Sequence, residues 1–225
     1  MDIRIFLAQA DSVPNTGWTR SRMLEALAQT LNRVAAALLL IALGPAMLAV
    51  AWQVWRQDRG PVLFGHYRVG RDGKLFRCLK FRTMRLDAQK MLNELLERDV
   101  DARAEWERDC KLTNDPRVTP IGDYLRRTSL DELPQLLNVL RGEMSLVGPR
   151  PITVQELTKY GQVRWHYLSV RPGITGLWQV SGRSDTSYDQ RVDLDRRYVE
   201  ARSPWVDLWL LIKTVKVVLM RDGAR

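Results

Sequence analysis

Two adjacent carboxylates, Asp131 and Glu132, stand in an arginine-rich stretch, RRTSLDELP from Arg126 to Pro134, which continues to Pro149-Arg150-Pro151. An ionised aspartate surrounded by Arg126, Arg127 and Arg150 can act as a nucleophile on phosphorus. The guanidiniums offset the charge that develops on phosphoryl oxygens. The neighbouring Glu132 can hold a divalent cation against the same phosphates. Ser129-Leu130-Asp131-Glu132 also has the S-x-x-E form of a capping box, a purely structural use of these residues. Pro134 opposes a helix starting at Leu130, because its ring would clash with the Leu130 carbonyl. A start at Asp131 or Glu132 puts the proline in the first turn. Either start leaves both carboxylates at a helix N-terminus, where the dipole favours their ionised forms.

The elements that must position these groups are short. Leu130 to Leu140 reads as an apolar helix stopped at Arg141-Gly142, and Pro149-Arg150-Pro151 as a stiff, extended break. Leu63-Phe64, Tyr67–Val69 and Lys74–Phe81 are β-type runs, with Gly70-Arg71-Asp72-Gly73 as a hairpin turn. Asp87 to Asp109 is charge-rich and predicts a solvated helix. A second β-like run, Ile174 to Val180, lies between Arg171-Pro172-Gly173 and Ser181-Gly182.

The chain has 225 residues, with 35 Lys and Arg against 26 Asp and Glu, a formal charge of +9. That length suits one domain with an appendage, and the excess of cations points to an anionic partner: nucleic acid, acidic lipid or a phosphorylated substrate. Cys78 and Cys110 form no disulfide framework or CxxC pair, and His66 and His166 lack metal-ligand spacing. The polar average conceals 19 uncharged residues from Val34 to Trp52. As a helix that run is roughly 28 Å long, close to a bilayer's hydrocarbon thickness. Trp52 and Trp55 resemble interfacial anchors. Ahead of it, Met23, Leu24, Leu27 and Leu31 make an amphipathic lead-in over Trp18–Arg33. Gly44-Pro45 predicts a bend in mid-run. Arg20, Arg22 and Arg33 precede the run, and Arg56, Arg59, Arg68 and Arg71 follow, so charge gives no clear direction. A helix broken at Pro45 that enters and leaves by one leaflet satisfies both flanks; a kinked single span is the alternative. Trp205 to Leu219 is apolar but carries Asp207, Lys213 and Lys216, which suits either the membrane interface or the core.

The strings GPVLFGHYRVGRDGK, CLKFRTM, LTNDPRVTPIGDYLRRTSLDELPQLLNVLRGEMSLVGPRP and RPGITGLWQVSGR, in that order after an apolar segment, closely resemble the bacterial sugar transferases, the monotopic polyprenyl-phosphate phosphoglycosyl transferases. The resemblance covers about Gly60 to Gly223. It implies an enzyme at the cytoplasmic face of the bacterial inner membrane that moves a hexose-1-phosphate from a UDP-sugar to undecaprenyl phosphate and releases UMP. Exopolysaccharide, capsule or O-antigen assembly would follow. It implies Asp131 as nucleophile, through an aspartyl-phosphosugar intermediate, and Glu132 as the ligand of Mg²⁺ or Mn²⁺. Lys80, Arg82, Arg126 and Arg150 match basic positions expected near phosphates or nucleotide, and Asp195 matches an acidic one. The wording FGHYRVGRDGK and GLWQVSGR most resembles galactose-1-phosphate transferases, with glucose-1-phosphate the alternative.

The expected fold is therefore α+β and predominantly helical. Residues 1–59 would form the lead-in and re-entrant hairpin, and 60–225 a cytosolic catalytic domain with short β-hairpins and a C-terminal interfacial helix. Expected partners are the UDP-sugar, undecaprenyl phosphate, inner-membrane lipids and downstream glycosyltransferases, with a homodimer allowed. Nucleic acid is not expected, because the arginines are scattered among Pro, Gly and carboxylates instead of interleaved with stacking aromatics. A non-catalytic membrane scaffold would need a broken Asp-Glu pair, and the pair is intact.

Overall fold

A computed structural model describes residues 22–109, 112–181 and 187–220. The start of the lead-in, Cys110, Gly182, Asp185 and the end of the resemblance near Gly223 lie outside the described residues.

The apolar run lies within one helix, α1 (Arg22–Asp58), of 37 residues with Pro45 inside it. The element is continuous, where two arms separated at Pro45 were expected. At the α-helical rise it is about 55 Å long. A hairpin follows, β1 (Leu63–Val69) and β2 (Leu75–Phe81), in antiparallel register with Phe64 opposite Lys80 and Val69 opposite Leu75. Its turn is the expected one: Asp72 takes a left-handed conformation, φ 56°, within Arg71–Gly73.

The predicted Asp87–Asp109 helix is two helices, α2 (Ala88–Arg98) and α3 (Val100–Asp109), broken at Asp99, whose backbone is extended. Helix α4 (Pro120–Thr128) is capped by the Thr119 hydroxyl, which accepts from the Gly122 amide. A 3₁₀ turn (Leu130–Glu132) and α5 (Gln135–Arg141) follow, and Gly142 ends α5 in the left-handed conformation that favours glycine. The Ser129 capping box is absent: Ser129 lies at φ 57° and its side chain caps nothing. Pro134 is the reason, since α5 begins only after it.

Strands β3 (Ser145–Val147) and β4 (Gly173–Thr175) pair in parallel, so the second strand pair is no hairpin. Between them lie α6 (Val154–Thr158), with a complete Thr153–Glu156 capping box, and α7 (Arg164–Ser169). The run Ile174–Val180 is only partly strand, because Trp178–Val180 turn into a 3₁₀ helix. Helices α8 (Tyr188–Ala201) and α9 (Pro204–Met220) complete the described chain.

One face of α1 packs against the rest of the protein. Ala36 joins a core with Phe76, Cys78, Leu136, Val139 and Met144, and Val54 joins Phe81 and Leu125. Polar groups fasten the same face: the Gln29 amide donates to the Met144 carbonyl and Asn32 Oδ1 accepts from the Leu146 amide. The opposite face is apolar and bare, with Met23 84% and Ile41 76% exposed. The expected lead-in is amphipathic, with its polar side turned inward. Helix α9 combines both readings of its sequence. Leu210 is buried against β3, β4 and the Trp178 turn, whereas Trp205, Trp209, Ile212 and Val215 face outward.

Candidate active site

Residue Lys80 lies near the end of β2, two residues from Cys78 and so on the same strand face. The 3₁₀ turn brings the two carboxylates to it. Lys80 Nζ donates to Glu132 Oε1 at 2.6 Å and lies 3.6 Å from Asp131 Oδ2. The juxtaposition depends on buried Asn138 in α5, which joins the helix to β2. Its Oδ1 accepts from the Leu79 amide at 3.0 Å, and its Nδ2 donates to the Arg77 carbonyl at 2.9 Å and to Glu143 Oε2 at 2.6 Å. The carboxylate turn precedes α5 and is held by the same packing.

Helix α4 brings Arg126 from another direction. Arg126 Nε donates to Thr83 Oγ1 at 3.0 Å, and its terminal nitrogens have no hydrogen-bond or ion-pair partner among the described residues. The approach of α4 requires a glycine: a Cβ at Gly122 would meet the Thr83 carbonyl oxygen at 2.0 Å. That carbonyl also accepts from the Thr119 amide at 3.0 Å, which fixes the start of α4 against the segment after β2.

The electrostatics of Asp131 differ from the dipole expectation. Burial pushes its carboxyl above the usual range; Lys80 and Arg126 oppose that, and Glu132 adds to it. The carboxylates precede α5 in a 3₁₀ turn, so Lys80 supplies the main force favouring the charged form, rather than a helix end. Burial raises the nearby Cys78 thiol to about 11, leaving it protonated and packed in the core.

Not every candidate faces this centre. Arg127 points outward to Asp123 at 2.5 Å on the exposed side of α4, so it does not surround Asp131. Arg82 is buried; its guanidinium forks onto both Asp58 oxygens at 2.5 Å, and its Nε donates to the Pro61 carbonyl at 2.7 Å. It ties the end of α1 to the base of the hairpin. Arg150 lies 5.2 Å from the Trp178 ring centre, and Arg191 lies 4.0 Å from the same ring. Asp195 is in the core: Oδ2 accepts from the Tyr160 hydroxyl at 2.8 Å, and Oδ1 has no partner among the described residues. Burial raises its carboxyl to about 7, against the pull of Tyr160, Arg191 and Arg150. Sequence reasoning missed Asn138, Thr83 and Arg191. The one available signal was an asparagine within the apolar run QLLNVL.

The described residues contain no group of three or more His, Cys, Asp or Glu able to hold a metal. The adjacent Asp131 and Glu132 nevertheless fit Mg²⁺, which commonly uses one or two carboxylates and completes its shell with phosphates and water.

A buried and a half-buried carboxylate share one ammonium beside an arginine with donors to spare, a set of groups chemically suited to phosphoryl groups. Residues 23–221 match the bacterial sugar transferase family, and the chain belongs to that family. It is 54% identical over 198 residues to the undecaprenyl-phosphate galactose phosphotransferase of Salmonella typhimurium, covering 88% of this chain and 41% of that protein. It is 47% identical over 191 residues to the exopolysaccharide production protein ExoY of Rhizobium meliloti, covering 85% and 84%. The UDP-glucose:undecaprenyl-phosphate glucose-1-phosphate transferase of Escherichia coli is 38% identical over 191 residues, covering 81% and 38%. The chain spans about two fifths of the length of several of its curated relatives, including the Salmonella protein.

Proposed function

We propose that the chain transfers a hexose-1-phosphate, galactose-1-phosphate in the first instance, from a UDP-sugar to undecaprenyl phosphate with release of UMP. The observation that carries this reading is Asp131 buried beside Lys80 and Glu132, in a chain whose relatives are named for that transfer. An Asp131 oxygen attacks the β-phosphorus of the donor; the bond from that phosphorus to the bridging oxygen breaks, and UMP leaves with the electron pair. An oxygen of the lipid phosphate then attacks the same phosphorus and returns the carboxylate. Both anions use one pocket in turn, which gives ping-pong kinetics.

Lys80 keeps Asp131 ionised before attack and can turn its ammonium to the phosphoryl oxygens as charge develops there. Arg126, held at Nε by Thr83, would offer its remaining N–H groups to a phosphate, and Arg150, beside Trp178, would serve the nucleotide. Glu132, with Asp131 adjacent, would hold Mg²⁺ or Mn²⁺, which would supply charge neutralisation to the transferring group. Arg82 and Asp195 support this centre by fastening α1 and filling the core rather than by touching substrate.

Residues 1–59 are read as the membrane seat and 60–225 as the catalytic domain, at the cytoplasmic face of the bacterial inner membrane. The ends of α1 support a monotopic arrangement. Glu25 pairs with Arg71 and Arg171, and Asp58 with Arg82, so both ends are held by the same domain. The product would feed downstream glycosyltransferases of exopolysaccharide, capsule or O-antigen synthesis.

The test uses protein purified in detergent with undecaprenyl phosphate, Mg²⁺ and a panel of UDP-sugars. UDP-galactose is expected to give the fastest UMP release, and Asp131→Asn to abolish it while the protein stays folded. UMP release by Asp131→Asn at the parent rate rejects the covalent mechanism. Preference for UDP-glucose replaces the sugar with the alternative.

A further inference from the structure

A polar cavity lies far from Asp131, where the start of α1 meets the hairpin tip. Its volume is about 430 Å³, and Glu25, Gln29 and Arg33 of α1 line it with Arg71 of the hairpin turn and Arg171 before β4. Lys80 lies toward the other end of β2, so roughly 20 Å of strand separates the two sites.

Charge in this cavity is unbalanced. Glu25 is its one carboxylate, and it already pairs with both Arg71 and Arg171, the latter at 3.2 Å. Arg33 has no hydrogen-bond or ion-pair partner among the described residues, and its guanidinium packs against Gly142. Arg202, whose Nε is buried and unpartnered among the described residues, adds to the positive field. Burial, Arg71, Arg202 and Arg33 together lower the Arg171 pKa against the pull of Glu25. Such a cluster gains when an anion with several acceptor oxygens enters it. Its position indicates the source. The cavity reaches round α1 to Ala26 and Thr30, which adjoin the apolar face of Met23, Leu27 and Leu31, all largely exposed. An amphiphile laid along that face would bring its phosphate to the arginines and its acyl chains to the leucines.

We propose that the cavity between Arg33, Arg71 and Arg171 binds the phosphate of an anionic phospholipid, separately from the transferase site. Arg33 supplies the readiest donors, Arg71 and Arg171 the surrounding charge, and Glu25 keeps those two arginines in place. A resident lipid of this kind would join α1 to the hairpin tip.

The test is binding to the full chain in detergent, read by its thermal transition and by native mass spectrometry. The probes are short-chain phosphatidylglycerol, short-chain phosphatidylcholine and inorganic phosphate. Phosphatidylglycerol is expected to bind saturably and raise the transition, phosphatidylcholine to do so much less, and inorganic phosphate to compete only weakly. Arg33→Gln breaks no pair seen among the described residues, and should weaken phosphatidylglycerol binding about tenfold or more, as loss of a charge-assisted contact to phosphate does. Arg33→Lys should recover part of that loss. Asp131→Asn should bind like the parent, which keeps this result independent of the proposed transfer reaction. Inorganic phosphate binding as tightly as phosphatidylglycerol overturns the lipid assignment. Arg33→Gln binding like the parent overturns the site.

Discussion

Lys80 acts on Asp131 in two ways that can be separated by pH. Burial raises the Asp131 carboxyl above its ordinary value, and Lys80 is the largest force opposing that rise. Removing the ammonium therefore raises the carboxyl further. The proposed attack on phosphorus requires the ionised form, so activity should fall as pH drops through this pKa. Lys80→Met is expected to move the acid limb of kcat/KM to higher pH. It should also lower the plateau about a hundredfold, because a preorganised donor to the transition state is lost. Lys80→Arg keeps the charge and should hold the limb near the parent position. An unmoved acid limb in Lys80→Met would show that Asp131 does not depend on this ammonium. Residue types were the most legible layer of the site, since an Asp-Glu pair among arginines already implied phosphoryl chemistry. The duties of Arg82 and Asp195 were not legible. Nothing in KFRTM announces that Asp58, 24 positions earlier, takes up the Arg82 fork. Nor does RVDLD announce that Asp195 faces a buried tyrosine.

The elements around the site are short and held by specific contacts rather than by helix length. Helix α4 has 9 residues and α5 has 7, both below the length at which a helix is stable in isolation. Their placement rests on close fits, and Gly122 is the tightest near the centre. A Cβ there would lie 2.0 Å from the Thr83 carbonyl oxygen, a backbone atom that cannot rotate away. Gly122→Ala must push α4 off the segment after β2, carrying Arg126 away from Thr83. The expected cost is about 2–4 kcal/mol of stability, within the range for severe overpacking. Because the displaced helix bears Arg126, the arginine proposed to hold a phosphate, KM for the UDP-sugar should rise in whatever protein remains folded. Thermal melting read beside UMP-release kinetics checks both; parent values in each would contradict the close approach. The hairpin was legible because its turn residues and β-type runs are local signals. The carboxylate turn was not, because S-x-x-E describes a cap only where the chain can continue as a helix. With Pro134 following, the local pattern yields to a left-handed Ser129 and a 3₁₀ turn.

At the scale of the whole molecule, the sequence showed an apolar segment but not how it lies. A run with almost no polar residues between Val34 and Trp52 carries little sign of which face packs inward. That face is set by Phe76, Leu136 and Met144, residues distant in the chain. Once α1 is seated, its bare face and that of α9 are apolar, and cations accompany their tryptophans. Arg56 lies 5.2 Å from the Trp52 ring centre and Lys213 lies 4.4 Å from that of Trp209, an arrangement suited to a headgroup layer. A helix standing across the bilayer would place its two ends on opposite sides. It would then have to break the contacts of Glu25 with Arg71 and Arg171, of Gln29 with Met144 and of Asn32 with Leu146. Keeping those contacts and the Asp58–Arg82 pair requires both ends on the side where Asp131 and Lys80 lie. The prediction concerns single cysteines at Thr30 and Gln57, both exposed positions, with Cys78 and Cys110 replaced by serine. A membrane-impermeant thiol reagent should leave both unlabelled in intact spheroplasts and label both in inverted membrane vesicles. Labelling of Thr30→Cys from outside, with Gln57→Cys protected, would establish a true span and require the contacts at the start of α1 to open in the membrane.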